Sequence, residues 1–364
     1  MKFTVHKKII QEYIGKAQVA TSSKGIIPIL QGIYIKCKND RITLIGTNKE
    51  ITIKTTFKCE VEKEGDVLVD SKLFGDIIRK LPDTEIHLEA NEKSITISYF
   101  ESMVTIPIMN KEEYPSINEE DILNEVKLTQ SSLKRIIHET TFSAAYDDYM
   151  EISNGVLLEC SNGILSVVAL DKSRLATSSV KVKDDIQAKA IIPIKNLNEV
   201  QRILNYDEQE VSLGFGKNHL KIFLEDTSIY ARLKEGEFIN YKSFIPKEFY
   251  SQIRINSSEF LGSLERAALL GKEINTSKVI FKIEEGRLQV KANSSLGNVN
   301  EKISVYQKGN DITIAFNVKY FIDILKNTES KEIELNFTSI INPCMVKIDN
   351  RENVQYLIMP VIIS

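Results

Sequence analysis

The feature that most constrains this chain is an eighteen-residue segment written three times. Asn154-Gly-Val-Leu-Leu-Glu-Cys-Ser-Asn-Gly-Ile-Leu-Ser-Val-Val-Ala-Leu-Asp171 alternates apolar and polar residues around Ser161-Asn162-Gly163, which predicts a β-hairpin. The same pattern begins at Gln31 and ends at Asn48. It returns from Ser277 to Asn293. From Gln31 to Asn154 is 123 positions, and from Asn154 to Ser277 is 123 again. Spacing of that regularity marks one domain repeated three times. The boundaries it predicts are residues 1–120, 121–246 and 247–364.

Each repeat also carries two amphipathic helical stretches. The first of each pair falls at Lys7–Gln18, Gln130–Thr140 and Ser258–Lys272, and the second at Lys72–Lys80, Lys195–Leu204 and Val318–Asn327. Apolar residues such as Ile9, Ile10, Tyr13 and Ile14, or Leu73, Phe74, Ile77 and Ile78, form a wide stripe on one helical face. Short strand patterns fill the remainder, among them Val67–Val69, Glu85–Leu88, Ser94–Tyr99, Val211–Phe215 and Glu332–Phe337. Two helices among about eight strands predict an α+β domain, an antiparallel sheet with its helices on one face. Between repeats, Lys111-Glu-Glu-Tyr-Pro-Ser-Ile and Lys234-Glu-Gly-Glu-Phe-Ile-Asn-Tyr both place acids before an aromatic, so even the linkers look duplicated.

No apolar run approaches the eighteen residues of a membrane span, and Met1-Lys-Phe-Thr-Val-His reads as a strand and not a leader. Cys37, Cys59, Cys160 and Cys344 lack metal spacing. Cys37 and Cys160 share one repeat position and read as core thiols. Together these features predict a reducing, cytoplasmic setting.

The formal net charge of −3 does not announce a nucleic-acid binder, but its distribution is uneven. The six predicted helices hold 14 Lys+Arg against 7 Asp+Glu, while the remainder holds 33 against 43. Five of the six share the basic bias, which predicts a helical surface facing a polyanion.

Catalytic chemistry is missing from the pattern. His6, His87, His138 and His219 have no carboxylate or cysteine at ligand spacing, so neither a metal nor a cofactor is expected. Gly214-Phe-Gly-Lys217 reads as a turn or bulge and not a phosphate loop. No Gly-x-Ser-x-Gly elbow occurs. Asp147-Asp148, the most suggestive acidic pair, reads as a solvated loop.

Five segments in order resemble the bacterial DNA polymerase III beta subunit, the sliding clamp. They are Ile26-Ile-Pro-Ile-Leu, Asn154-Gly-Val-Leu-Leu-Glu, Asp171-x-x-Arg-Leu-Ala176, Ala315-Phe-Asn-Val-Lys-Tyr320 and the tail Tyr356-Leu-Ile-Met-Pro-Val-Ile-Ile. The resemblance covers the whole chain. It implies a non-catalytic processivity factor, a head-to-tail homodimeric ring that encloses duplex DNA and tethers the replicative polymerase alpha subunit. It also implies meetings with a clamp loader and other proteins that carry a clamp-binding motif.

Geometry supports the ring independently. Helices pack about 9 Å apart, so six in a circle leave an opening of roughly 7 Å once about 10 Å of helix width is removed. Twelve leave about 25 Å, enough for a duplex. The grip is therefore enclosure, with a cationic lining screened over about 8 Å at physiological salt and no base contacts.

The resemblance makes Lys24, Lys72 and Lys195 DNA-contact positions. It implies a groove for partner peptides made by Leu170, Arg174, Leu175, Phe244, Asn317, Tyr320, Met359, Pro360, Val361 and Ile362. It implies a subunit contact of Val104 and Ile106 with Leu269 and Leu270 of a second copy. The sequence departs from the family where the usual Thr-Asp-Gly-His-Arg is Leu170-Asp-Lys-Ser-Arg174, and where the common linker proline is Ile239. Two other readings compete: an enzyme using Asp147, Asp148 or Asp171, and a peptide scaffold that does not meet DNA.

Overall fold

In a computed structural model of the chain, which describes residues 1–22, 27–116, 122–145, 155–270, 278–295 and 297–362, each predicted hairpin closes on a two-residue turn. Both turn residues take positive φ in every copy: Asn39 and Asp40 (52° and 51°), Asn162 and Gly163 (51° and 68°), Glu285 and Gly286 (49° and 73°). This is the mirror-image turn, whose twist matches that of the paired strands. The strand that follows each hairpin is repeated too, at Ile51–Lys58, Arg174–Lys181 and Gly297–Ser304.

Six α-helices form where the stripes predict them: α1 (Lys7–Gln18), α2 (Ser71–Lys80), α3 (Gln130–Thr141), α4 (Ile194–Ile203), α5 (Ser257–Leu269) and α6 (Val318–Asn327). The helix predicted to reach Lys272 stops at Leu269, and Leu270 caps it. Side-chain caps fix several starts. Asp70 Oδ1 accepts from Leu73 N at 2.7 Å, Asn256 Oδ1 from Glu259 N at 3.0 Å, and Asn317 Oδ1 from Lys319 N at 3.0 Å.

The described chain forms two compact units, Met1–Ser131 with Lys195–Lys234, and Ser132–Ile194 with Glu235–Ser364. In the first, a five-stranded sheet runs in the order Glu60–Lys63, Lys2–His6, Glu85–Ala90, Ser94–Tyr99, Ser102–Pro107. An eight-stranded sheet runs Asn124–Thr129, Glu210–Phe215, His219–Phe223, Thr227–Arg232, Ile51–Lys58, Arg41–Thr47, Gly32–Lys38, Gly65–Asp70. Ile10, Ile14, Phe74 and Ile78 of α1 and α2 are buried with Phe3, Ile33, Ile35, Leu44 and Leu88 in one core.

In the second unit, a nine-stranded sheet runs Ala188–Pro193, Gly155–Ser161, Ile164–Leu170, Arg174–Lys181, Arg351–Ile358, Cys344–Ile348, Glu332–Phe337, Ser251–Asn256, Tyr306–Gly309. A four-stranded sheet runs Gly297–Ser304, Arg287–Ser294, Lys278–Glu284, Ile312–Asn317. Phe260, Phe281, Phe316 and Phe321 pack ring to ring in its core, with centroids 5.2–5.8 Å apart.

The sheets therefore do not stop at the repeat boundaries, as a sheet for each repeat would. Ile51–Lys58 of the first repeat pairs antiparallel with Thr227–Arg232 of the second. The equivalent strand of the second, Arg174–Lys181, pairs with Arg351–Ile358 of the third. Every strand needs a partner for its outward N–H and C=O groups, and the neighbouring repeat supplies it.

Candidate functional site

The turn after the second hairpin fixes the first of the predicted groove residues. Asp171 Oδ1 accepts from Ser173 N at 2.7 Å and Arg174 N at 2.9 Å, a local turn that starts the next strand. Its Oδ2 takes Arg174 Nε at 3.0 Å, and Asp323 Oδ2 on α6 takes Arg174 Nη1 at 2.5 Å. The guanidinium also lies 4.8 Å from the Tyr320 ring centroid and 5.9 Å from that of Phe142. With 14% of its side chain exposed, Arg174 is a fixed strut between strand and helix.

The chain's tail is strung beside that strut. Beyond Ile358, Met359 N–H donates to Ser173 O at 2.7 Å and Val361 N–H to Ala315 O at 2.8 Å. Pro360, which has no N–H, sits between these two tethers. Held by its backbone, the tail leaves Met359 (40%), Val361 (37%) and Ile362 (86%) exposed. Leu175 is buried with Leu157, Val168, Tyr241, Met345 and Leu357, and Leu170 packs half-buried against them. Leu175 is thus core, and Leu170 lies at its margin.

Phe244, 47% exposed, ends a short 3-10 turn, Tyr241–Phe244, whose position depends on Glu159. That carboxylate accepts from Tyr241 Oη at 3.3 Å and pairs with Lys242 at 3.2 Å and Lys189 at 2.9 Å. Burial works to raise the Glu159 pKa, but the hydrogen bonds and charge of the two lysines outweigh it and hold it below the ordinary carboxylate value. Asn317 is the N-cap of α6, its Oδ1 accepting from Lys319 N.

Sequence reasoning missed Asp323, Phe142 and Glu159. The first could have been found, since Tyr320 and Asp323 lie three apart on one helical face. Phe142 and Glu159 carry no local signal, because only the pairing of distant strands brings them here.

The basic positions are more dispersed. Lys72 and Lys195 are exposed at the second residue of α2 and α4, and Lys319 holds the same place in α6. Lys72 borders a cavity of about 480 Å³ with Gln18, Thr21 and Arg79. Lys24, Asp147 and Asp148 lie outside the described residues. Some of the predicted helical charge is neutralised internally. Lys16 pairs with Asp226 at 2.9 Å, Arg266 with Glu301 at 2.7 Å, and Lys326 with Glu265 at 2.7 Å. Within the observed bounds α5 keeps one arginine against two glutamates, so the basic bias belongs to the other five helices.

Ser102–Pro107 is an edge strand, as expected, and two of its side chains also belong to the core of its own repeat. Ile106 is 5% exposed inside the first repeat's core, and Val104 packs half-buried against it. The two-residue period of a strand turns them inward, whereas Phe100 (77%) and Met103 (73%) face outward. Leu269 is 60% exposed and Leu270 half-buried.

Among the described residues, the carboxylates gathered at the groove hold arginine and lysine in place and none is paired with a nucleophile. No helix there is long and apolar enough to cross a membrane. The class this architecture defines is the three-domain clamp fold. Three family profiles match in sequence: the DNA polymerase III beta subunit N-terminal domain over residues 1–118, its central domain over 127–240 and its C-terminal domain over 242–362. The chain is 31% identical to the beta sliding clamp of Halalkalibacterium halodurans, covering 99% of both. It superimposes at a TM-score of 0.95 on the DNA polymerase III beta chain of Streptococcus pneumoniae, with 30% identity and full coverage of both chains. A beta-subunit structure from Eubacterium rectale matches at 0.95 with 29% identity, again with full coverage of both chains. The chain belongs to the DNA polymerase III beta subunit family, the beta sliding clamps, and is a processivity factor, a non-catalytic subunit of that polymerase.

Proposed function

We propose that two copies close head to tail into a ring around duplex DNA, and that the groove holds extended segments of the replicative polymerase alpha subunit, the clamp loader and other partner proteins. The observation that carries this reading is a junction made twice and left open once. Ile51–Lys58 pairs with the second repeat, and Arg174–Lys181 pairs with the third. The third member of that series, Gly297–Ser304, is the edge of its sheet. Subtracting 123 positions from Thr227–Arg232 gives 104–109, which overlaps Ser102–Pro107, an edge strand of the five-stranded sheet. Pairing one chain's Gly297–Ser304 with another's Ser102–Pro107 repeats the existing junction, and doing so twice satisfies these two edges in both copies.

Domains at 1–120, 121–246 and 247–364 make up each half-ring in this reading. Lys24, Lys72 and Lys195 meet phosphates loosely, which lets the ring slide. Leu170, Phe244, Met359, Val361 and Ile362 receive apolar anchors of an extended peptide, beside the backbone held by Arg174. The setting is the cytoplasm.

The test is retention on DNA. After loading on nicked circular DNA, the protein is expected to stay bound at high salt and to leave once the circle is linearised. Equal salt-induced loss from circle and line would refute enclosure.

A further inference from the structure

The internal repeat supplies its own control for surface features, because each position occurs three times in one chain. On the first hairpin and its following strand, the side chains facing away from the helices include Lys36, Lys38, Arg41, Lys54 and Lys58, with Thr43 and Ile45 between them. The equivalent residues of the second repeat are Glu159, Ser161, Ile164, Thr177 and Lys181. Those of the third are Lys282, Glu284, Arg287, Asn300 and Ser304. Five cations in the first copy thus answer to one cation and one anion in the second. In the third copy, Lys282 is paired with Glu284 at 2.7 Å. The fold does not demand this cluster, since two copies fold without it.

The cluster is also placed against its own stability. Lys38 lies directly opposite Arg41, and Arg41 opposite Lys58. Like charges facing across a sheet are destabilising, and among the described residues none of these three has a carboxylate within ion-pair distance. In a chain of net charge −3, such a concentration calls for an anionic counterpart from outside.

Shape narrows the counterpart. Lys36, Lys38, Asn39, Arg41, Thr43, Ile45 and Lys54 line a concavity of about 430 Å³. With strands about 4.8 Å apart and alternate residues about 6.8 Å apart, the cations cover roughly 10 by 13 Å. A duplex about 20 Å wide would rest on the rim of so small a hollow. A single strand would find one aromatic at the margin, Tyr34 opposite Ile45, and that ring is already stacked on Tyr114 with centroids 5.6 Å apart, so it offers no run of stacking platforms. An extended peptide fits: alternate carboxylates repeat at the same 6.8 Å spacing, and Ile45 offers an apolar floor for a residue between them.

We infer that the outward face of Gly32–Lys38, Arg41–Thr47 and Ile51–Lys58 is a second docking site, one that takes an acidic, extended segment of a partner protein. It is separate from the apolar groove and does not depend on it.

The experiment uses the full chain and a fluorescein-labelled peptide, Glu-Asp-Leu-Glu-Glu-Asp, followed by anisotropy at about 50 mM salt. Saturable binding is expected, weakened about tenfold or more by Arg41→Glu with Lys58→Glu and unchanged by Lys72→Glu with Lys195→Glu. The reversal turns the Lys38–Arg41 pair into one of opposite charge and leaves positions 41 and 58 alike in sign, so the melting temperature should not fall. Should it misfold instead, Lys36→Gln with Lys38→Gln serves, with about a threefold loss expected. Absence of peptide binding, or binding indifferent to these variants, overturns the inference. So does tighter binding of a twelve-base-pair duplex or a dT12 strand that is lost on the same substitutions, since the face would then contact nucleic acid.

Discussion

Single residues set how closely the layers of each repeat approach. Gly46 is the tightest case: a Cβ there would lie 2.0 Å from the carbonyl oxygen of Ala17 in α1. The equivalent positions hold Ala169 and Ala292, so every copy keeps this site small and the first keeps it smallest. Gly46→Ala should force α1 off the strand and destabilise the fold by about 2–3 kcal/mol, read from urea titration. The opposite sign is expected at Glu285, a non-glycine residue held at φ 49° in the third hairpin turn. Glu285→Asn recreates the Asn-Gly pair of the second hairpin and should stabilise by about 0.5–1 kcal/mol in the same assay.

Among the elements, the hairpins and helices could be read in the sequence and their partnerships could not. The predicted Lys7–Gln18 and Val318–Asn327 helices agree residue for residue, and Ser94–Tyr99 and Glu332–Phe337 are strands with the predicted bounds. Period and turn chemistry are local, so they survive translation into a string of letters. The surroundings of the predicted groove residues were legible only in part. Leu170, Phe244 and the tail could be named by resemblance, whereas the Arg174–Asp323 pair and the Glu159 anchor arise from strands and linkers far apart in the chain. Glu159 makes the short turn bearing Phe244 sensitive to acid. Its pKa is depressed in the folded chain, so its contribution is complete above the ordinary carboxylate range, near 4, and is lost as pH falls through the lower folded value. Because Lys189 and Lys242 are mostly exposed, that contribution is discounted to about 1–2 kcal/mol. Glu159→Gln should therefore melt earlier than the parent chain at pH 7, and the two melting curves should converge below about pH 4.

For the whole molecule, assembly depends on which backbone donors face outward from Ser102–Pro107. Ile108 N bonds Lys93 O at 3.1 Å, so alternate residues point their N–H groups away from the hairpin, at Met103 and Thr105, with Pro107 in the third place. Thr105→Pro removes one of the two remaining outward donors and leaves the hairpin's own ladder intact. The variant should keep the parent circular-dichroism spectrum and sediment as a monomer at micromolar concentration, where the parent chain is expected to sediment as a dimer. An unchanged dimer would mean that this edge is not the seam.

The eight-stranded sheet, in which Thr227–Arg232 lies against Ile51–Lys58, has a consequence for inheritance as well as for shape. A gene that grew by tandem duplication has exchanged strand partners so thoroughly that no copy remains a self-sufficient piece. A truncation placed between the copies would remove one side of a ladder and leave raw, aggregation-prone margins. The scars of duplication are where this polypeptide tolerates division least.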